Sequence, residues 1–209
     1  LKSHRLKKPE WAGRSWTKSY RRWLASLCRT ETWSALGTLL RQVVFLEQEI
    51  AAMDQEVLQL SEGERYAKAS ADLQELTGVG LLTAMVFLTE MGDLGRFANR
   101  KKVGAFLGLV PSSNDSGEAD DRKGHITREG PARVRRVLCQ ATWARVVHDS
   151  NEGDVYNRLV ARNPKHKKIA VVASMRRLAV KMWHVGLDAQ RRAGVFSEPL
   201  NASVETMVA

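Results

Sequence analysis

The sequence predicts an all-α protein in which one long helix of coiled-coil type precedes a helical domain with a tight helix-hairpin-helix turn and a single long loop. Three observations predict it. Leu36, Leu39, Val43, Leu46, Ile50, Met53, Val57 and Leu60 recur three and four residues apart without a miss. Downstream, apolar residues keep a helical period in six stretches bounded by Gly and Pro. No alternating strand series interrupts them.

The length of 209 residues accommodates one sizeable core or two small units. Two are expected: residues 1–70, a basic segment with the assembly helix, and residues 71–193, a C-terminal domain. Residues 194–209, with Pro199, small residues and little periodicity, read as a disordered tail. The 33 Lys and Arg against 23 Asp and Glu leave a formal charge of +10, which favours polyanionic partners, nucleic acid first. No run approaches the ~18 apolar residues of a spanning helix and no charged leader precedes an apolar stretch, so no membrane partner and a cytoplasmic location are expected. Cys28 and Cys139 have no metal-type spacing and read as reduced thiols. The chain opens on Leu1 and runs straight into basic residues, so it reads as a fragment of a longer protein.

Taken in order, residues 1–29 set Lys2, Arg5, Lys7, Lys8, Arg14, Lys18, Arg21, Arg22 and Arg29 against a single acid, Glu10, with Trp11, Trp16, Tyr20 and Trp23 interleaved. Two readings are open. The mixture suits phosphate and base contacts, and Trp16, Tyr20 and Trp23 at i, i+4, i+7 equally suit a solvated basic helix packed on a neighbour. In the next helix Glu47, Glu49, Asp54 and Glu56 lie off the Leu36–Leu60 seam, so its stripe must be buried on a partner helix. A second copy of the chain, hence a homo-oligomer, is favoured over a helix from a missing N-terminal part. Gly63 marks the stop. Helices then fall at roughly 66–76, 80–91, 100–107, 130–149, 154–162 and 168–189. Residues 108–129 form the one long irregular stretch, and loops of that length tend to be functional.

Leu76-Thr77-Gly78-Val79-Gly80-Leu81-Leu82-Thr83-Ala84 lies between two of these helices and reads as the hairpin turn. Gly78 and Gly80 let backbone N–H groups face outward beside the positive end of the next helix, which holds phosphate without reading sequence. The same turn could instead only pack two helices together. The long loop carries Gly108-Leu109-Val110-Pro111, then Ser112 and Ser113, then Ser116-Gly117 and an acidic patch. It continues as Arg122-Lys123-Gly124-His125-Ile126-Thr127-Arg128-Glu129-Gly130-Pro131, and Arg133, Arg135 and Arg136 open the helix that follows.

This order of residues resembles the C-terminal domain of the Piv/MooV-type insertion-sequence transposases, also called the IS-one-hundred-ten family. Their pattern is Gly-Leu-x-Pro, a spacer, Ser-Gly, a basic stretch, Gly-x-Ile-Ser/Thr-Lys/Arg-x-Gly and an Arg-rich helix. The likeness extends back through Gly92-Asp93-Leu94-Gly95-Arg96-Phe97 to Gly78 and covers residues 71–145. The resemblance implies a RuvC-like domain with Mg2+ on an acidic tetrad ahead of the coiled coil, and no cofactor in the C-terminal fragment itself. It implies that a serine, by position Ser116, attacks a DNA phosphodiester in a synaptic complex guided by a bridge RNA. DNA, guide RNA and a second copy are then the partners, in a prokaryotic cytoplasm.

A serine can form a covalent phosphodiester that conserves bond energy for rejoining, provided its hydroxyl is activated and cations balance the phosphoryl charge. Gly78, Gly80, Arg122, Lys123, Arg128, Arg133, Arg135 and Arg136 are the expected nucleic-acid-binding residues. His125 has no evident Asp partner for a hydrolase-type triad and reads as a loop or phosphate-facing residue. Two departures from the family pattern stand out: Glu118, Asp120 and Asp121 where relatives tend to be basic, and Pro131 in place of the usual Asn. Further on, Arg158, Arg162, Lys165, Lys167, Lys168, Arg176, Arg177 and Lys181 occur with no acid between residues 155 and 187, which reads as a nucleic-acid track more than a solvated face. Met175, Leu178, Ala179 and Met182 on one face read as core. The function expected is that of a transposase fragment, inactive alone; the alternative is a non-catalytic nucleic-acid-binding and dimerisation module derived from such an enzyme.

Overall fold

The computed structural model describes residues 7–28, 34–113 and 123–195, and these are mostly helical. The chain divides into two compact units, Leu1–Glu56 and Val57–Ala209, at a point inside one long helix.

The first unit holds a 3-10 turn at Glu10–Ala12, helix α1 (Lys18–Leu27) and most of helix α2 (Ser34–Glu62). Thr17 starts α1 by accepting the Tyr20 N–H on its Oγ1 at 3.3 Å. Trp23 and Leu24 are buried with Ala12, and Tyr20, Leu27, Leu36 and Leu40 pack around them. Tyr20 and Trp23 meet edge to face at 5.4 Å, so packing accounts for these two aromatics, whereas Trp11 and Trp16 are exposed. Arg21 bridges to Glu47 at 2.6 Å. That hydrogen bond holds the Glu47 carboxyl below its ordinary range and the Arg21 guanidinium above its own. Much of the apolar stripe of α2 is bare: Leu39, Leu46, Ile50 and Met53 are each more than half exposed.

The second unit continues through α3 (Ala67–Gln74), α4 (Leu81–Met91), a 3-10 turn Leu94–Arg96, α5 (Arg100–Phe106), strands β1 (Pro111–Ser113) and β2 (Lys123–Ile126), α6 (Ala132–His148), α7 (Ser150–Arg162), a 3-10 turn Pro164–His166, and α8 (Lys167–Ala193). Four helices match the expected ranges to within two residues. Helix α7 begins four residues earlier than expected because Asp149 caps it, accepting the Glu152 N–H at 3.3 Å. Helix α8 runs four residues further, to the left-handed Gly194 that ends it.

The stretch expected to be irregular over 108–129 carries a short β1–β2 hairpin at its ends, antiparallel with Pro111 opposite Ile126 and Ser113 opposite Lys123, within an otherwise helical fold. Strands of three and four residues are too short for alternation to register in a sequence.

Helix α8 is the central element, packing on α3, α5, α6 and α7. The core is built from Leu73, Phe87, Leu88, Met91, Leu94, Val103, Leu107, Val134, Leu138 and Met182, all fully buried. Met175, Leu178 and Ala179 join them, as their helical spacing predicts. The Gly92–Phe97 segment is clasped by α8. Trp183 donates from Nε1 to the Leu94 carbonyl at 2.9 Å, and Gln190 accepts the Leu94 N–H at 3.0 Å while donating to the Gly92 carbonyl at 3.1 Å. Gly186 permits this approach, since a Cβ there would stand 2.7 Å from Leu94 Cδ1.

Candidate nucleic-acid interface

The two ends of the long loop are sewn together by glycines. Gly108 (φ 62°) and Gly130 (φ 86°) both take left-handed backbone that L side chains rarely adopt. A Cβ on Gly108 would overlap the Glu129 carbonyl oxygen, and one on Gly130 the Phe106 carbonyl oxygen. Arg128 donates its N–H to the Gly108 carbonyl at 3.2 Å and Thr127 to that of Val110 at 3.0 Å. Arg135, from the first turn of α6, spreads Nη1 over three carbonyls, Leu107 and Glu129 at 3.2 Å and Gly130 at 3.0 Å. This seam positions the β1–β2 hairpin.

Against this frame the expected residues separate. Ser116 and Arg122, with Glu118, Asp120 and Asp121, lie outside the described residues. Lys123 opens β2 opposite Ser113. Arg128 is exposed despite its left-handed backbone at φ 56°. Arg133 is 84% exposed and reaches only to Glu90 at 3.8 Å, and Arg136 is exposed as well. Arg135 differs from these two, because its guanidinium is engaged internally by the seam.

The two glycines of the α3–α4 turn separate too. Gly78, at φ 84°, lies against α6: a Cβ there would meet the Ala141 carbonyl at 2.5 Å and the Arg145 nitrogen at 3.0 Å. Its conformation answers a packing demand. Gly80 has nothing within 4 Å of an added Cβ and caps α4 with no side-chain hydrogen bond to the first turn. The open positive end of a helix therefore belongs to Gly80 rather than to Gly78.

Sequence reasoning missed Arg145, which is buried beneath the turn. It pairs with Asp149 at 3.4 Å and Glu152 at 3.2 Å, and Glu152 also holds Arg177 at 3.5 Å. The spacing i, i+4, i+7 of a cation and two acids was the available signal. Of the downstream basic residues, Arg158, Arg162, Lys165, Lys167, Lys168, Arg177 and Lys181 are exposed and Arg176 is half-buried. A cavity of about 1430 Å³ lies between α5, the hairpin and α8. Among the described residues no three His, Cys, Asp or Glu side chains group as metal ligands, and no helix is long and apolar enough to cross a membrane.

Residues 70–157, from α3 into α7, match the transposase family IS116/IS110/IS902. The chain is 34% identical over 130 residues to "Putative transposase y4qE" of Sinorhizobium fredii, a match covering 62% of this chain and 30% of that protein. It is 34% identical over 91 residues to the transposase for insertion sequence element IS1111A of Coxiella burnetii, covering 42% of this chain and 25% of that one. To the insertion element IS110 uncharacterized 43.6 kDa protein of Streptomyces coelicolor it is 28% identical over 126 residues, covering 60% and 29%. The chain thus spans less than a third of the length of each of these relatives.

Proposed function

Because residues 70–157 carry a transposase domain of the IS116/IS110/IS902 family, we propose that the chain acts in DNA transposition, with Ser116 as the nucleophile within an RNA-guided synaptic complex. The observation that carries this reading is the rigid base formed by Gly108, Gly130 and Arg135, from which β1 and β2 lead to residues 114–122. A nucleophile needs a supporting frame whose own side chains are locked.

In the proposed step the Ser116 hydroxyl gives up its proton, its Oγ bonds to phosphorus, and one bridging P–O bond breaks so that the departing sugar oxygen takes up a proton. The number of phosphodiester bonds is conserved, and reversal by another sugar hydroxyl rejoins the strand. Arg122, Lys123 and Arg128 balance the charge on the phosphoryl oxygens. Mg2+ would be held by the acidic tetrad of a RuvC-like partner domain and would supply charge stabilisation at the phosphate. The open N-terminus of α4 at Gly80, with Arg133 and Arg136, holds backbone phosphates, while the bare stripe of α2 pairs with a second copy as a coiled coil.

The test is a denaturing gel for a covalent protein–DNA adduct, with a RuvC-like domain, guide RNA, magnesium and donor DNA supplied to this chain and to its Ser116→Ala variant. An adduct lost in the variant supports the nucleophile. The acids Glu118, Asp120 and Asp121 favour a second reading, a binding and dimerising module without chemistry. Tight DNA binding with no adduct in either protein would establish that one.

A further inference from the structure

The cavity between α5, the hairpin and α8 mixes charge and apolar surface in a way that a duplex does not call for. Helix α8 gives it one continuous face on which Val172, Ala173 and Val180 alternate with Arg176, Arg177 and Lys181. Lys168 and Ile169 stand at its start, and Lys101 and Arg128 close it from α5 and the hairpin. Of these cations only Arg177 has a carboxylate partner among the described residues, Glu152. The others are uncompensated positive charge above an apolar floor. Ile169 is 59% exposed on that floor. Three of the chain's five histidines, His125, His166 and His184, also line the cavity and offer planar rings.

A double helix presents sugars, phosphates and the edges of its bases, but its base faces are stacked inside and cannot lie on the apolar floor. An unpaired strand presents phosphates to the rim and base faces to the floor, to imidazole rings and to guanidinium planes. The cavity, at about 1430 Å³, exceeds the roughly 300–1,000 Å³ of small-ligand sites. The face of α8 from Lys168 to His184 is about 24 Å long, enough for at most about seven stacked nucleotides. We propose that this groove holds an unpaired segment of a nucleic-acid strand, as distinct from duplex. The proposal rests on the nucleic-acid reading above and assigns it a place and a strand state.

The test is fluorescence anisotropy of the full chain with a labelled oligothymidylate and with a duplex of the same length. In one variant Lys101, Lys168 and Lys181, all exposed, become Gln; in a second, Ile169→Ser removes apolar floor without disturbing the core. Arg41→Gln with Arg191→Gln, exposed on α2 and α8 and absent from the groove lining, is the control, and circular dichroism checks that each variant is folded. We expect oligothymidylate affinity to fall about tenfold in the lysine variant and about fivefold in Ile169→Ser, with duplex binding unmoved by Ile169→Ser and less than about a twofold change in the control. A control variant that weakens the oligothymidylate as much as the groove variant, or an Ile169→Ser that changes nothing, overturns the proposal in favour of diffuse charge attraction. Duplex binding without oligothymidylate binding sinks the groove and leaves the transposition reading standing. Binding of neither removes both.

Discussion

Gly130 stands so close to the carbonyl oxygen of Phe106 that any Cβ would overlap it, and Gly108 stands in the same relation to the carbonyl of Glu129. Two chain segments, whose glycines lie 22 residues apart in sequence, are thereby held backbone to backbone, with positive φ at both contacts. Alanine at either position meets an occupied space in a strained conformation. Gly108→Ala and Gly130→Ala are each expected to lower stability by at least about 2 kcal/mol, read from the midpoint of urea unfolding. An unmoved midpoint would show that the seam does not bear on the fold.

The glycines of the α3–α4 turn should part company in the same assay. Gly78→Ala pushes against the Ala141 carbonyl and is expected to cost about 2 kcal/mol. Gly80→Ala adds a methyl to open space on extended backbone and should stay within about 0.5 kcal/mol. Equal losses at the two positions would contradict the packing assigned to Gly78.

The arginines opening α6 divide between architecture and binding. Arg135→Gln strips three carbonyls of a charged donor, so a loss of about 2 kcal/mol is expected, seen as a lower Tm. Arg133→Gln and Arg136→Gln should leave Tm where it is. If these two side chains contact phosphate, each reduces the slope of log affinity against log salt by about 1. A full slope in both variants would remove them from the interface.

The stripe on α2 makes its own prediction. With Ile50 58% and Met53 63% exposed, a proposed second copy would bury both, and the chain should sediment as a dimer that Ile50→Ser with Met53→Ser converts to monomer at the same concentration. A wild-type chain that sediments as a monomer would refute the coiled coil.

Local pattern carried far in this chain because most of its elements are helices. The three-and-four spacing from Leu36 to Leu60 lies within one helix, and Gly63, just past its end, bonds back to the Leu60 carbonyl. Helical periodicity placed α3 to α6 because those helices bury one face against α8 or each other. What escaped were features whose signal is shorter than a period or set by a single side chain. The β1–β2 hairpin has too few residues to alternate, and the early start of α7 turns on Asp149 alone.

For the site, the order of residues alone gives an excess of ten positive charges, glycines bounding a long loop, and arginines after it. It could not sort those residues by role, because a glycine needed for close approach and a glycine left open read alike, as do an arginine facing solvent and one facing carbonyls. Tertiary structure decided that Gly78 serves α6 while Gly80 stays open, that Arg135 closes the seam while Arg133 and Arg136 face solvent, and that Arg145 is buried with Asp149 and Glu152. It also gathered α5, the hairpin and α8, distant in sequence, around one groove. The physical reason is that periodicity reports which face of an element is buried, whereas the role of a backbone or a cation depends on what other elements bring within bonding distance.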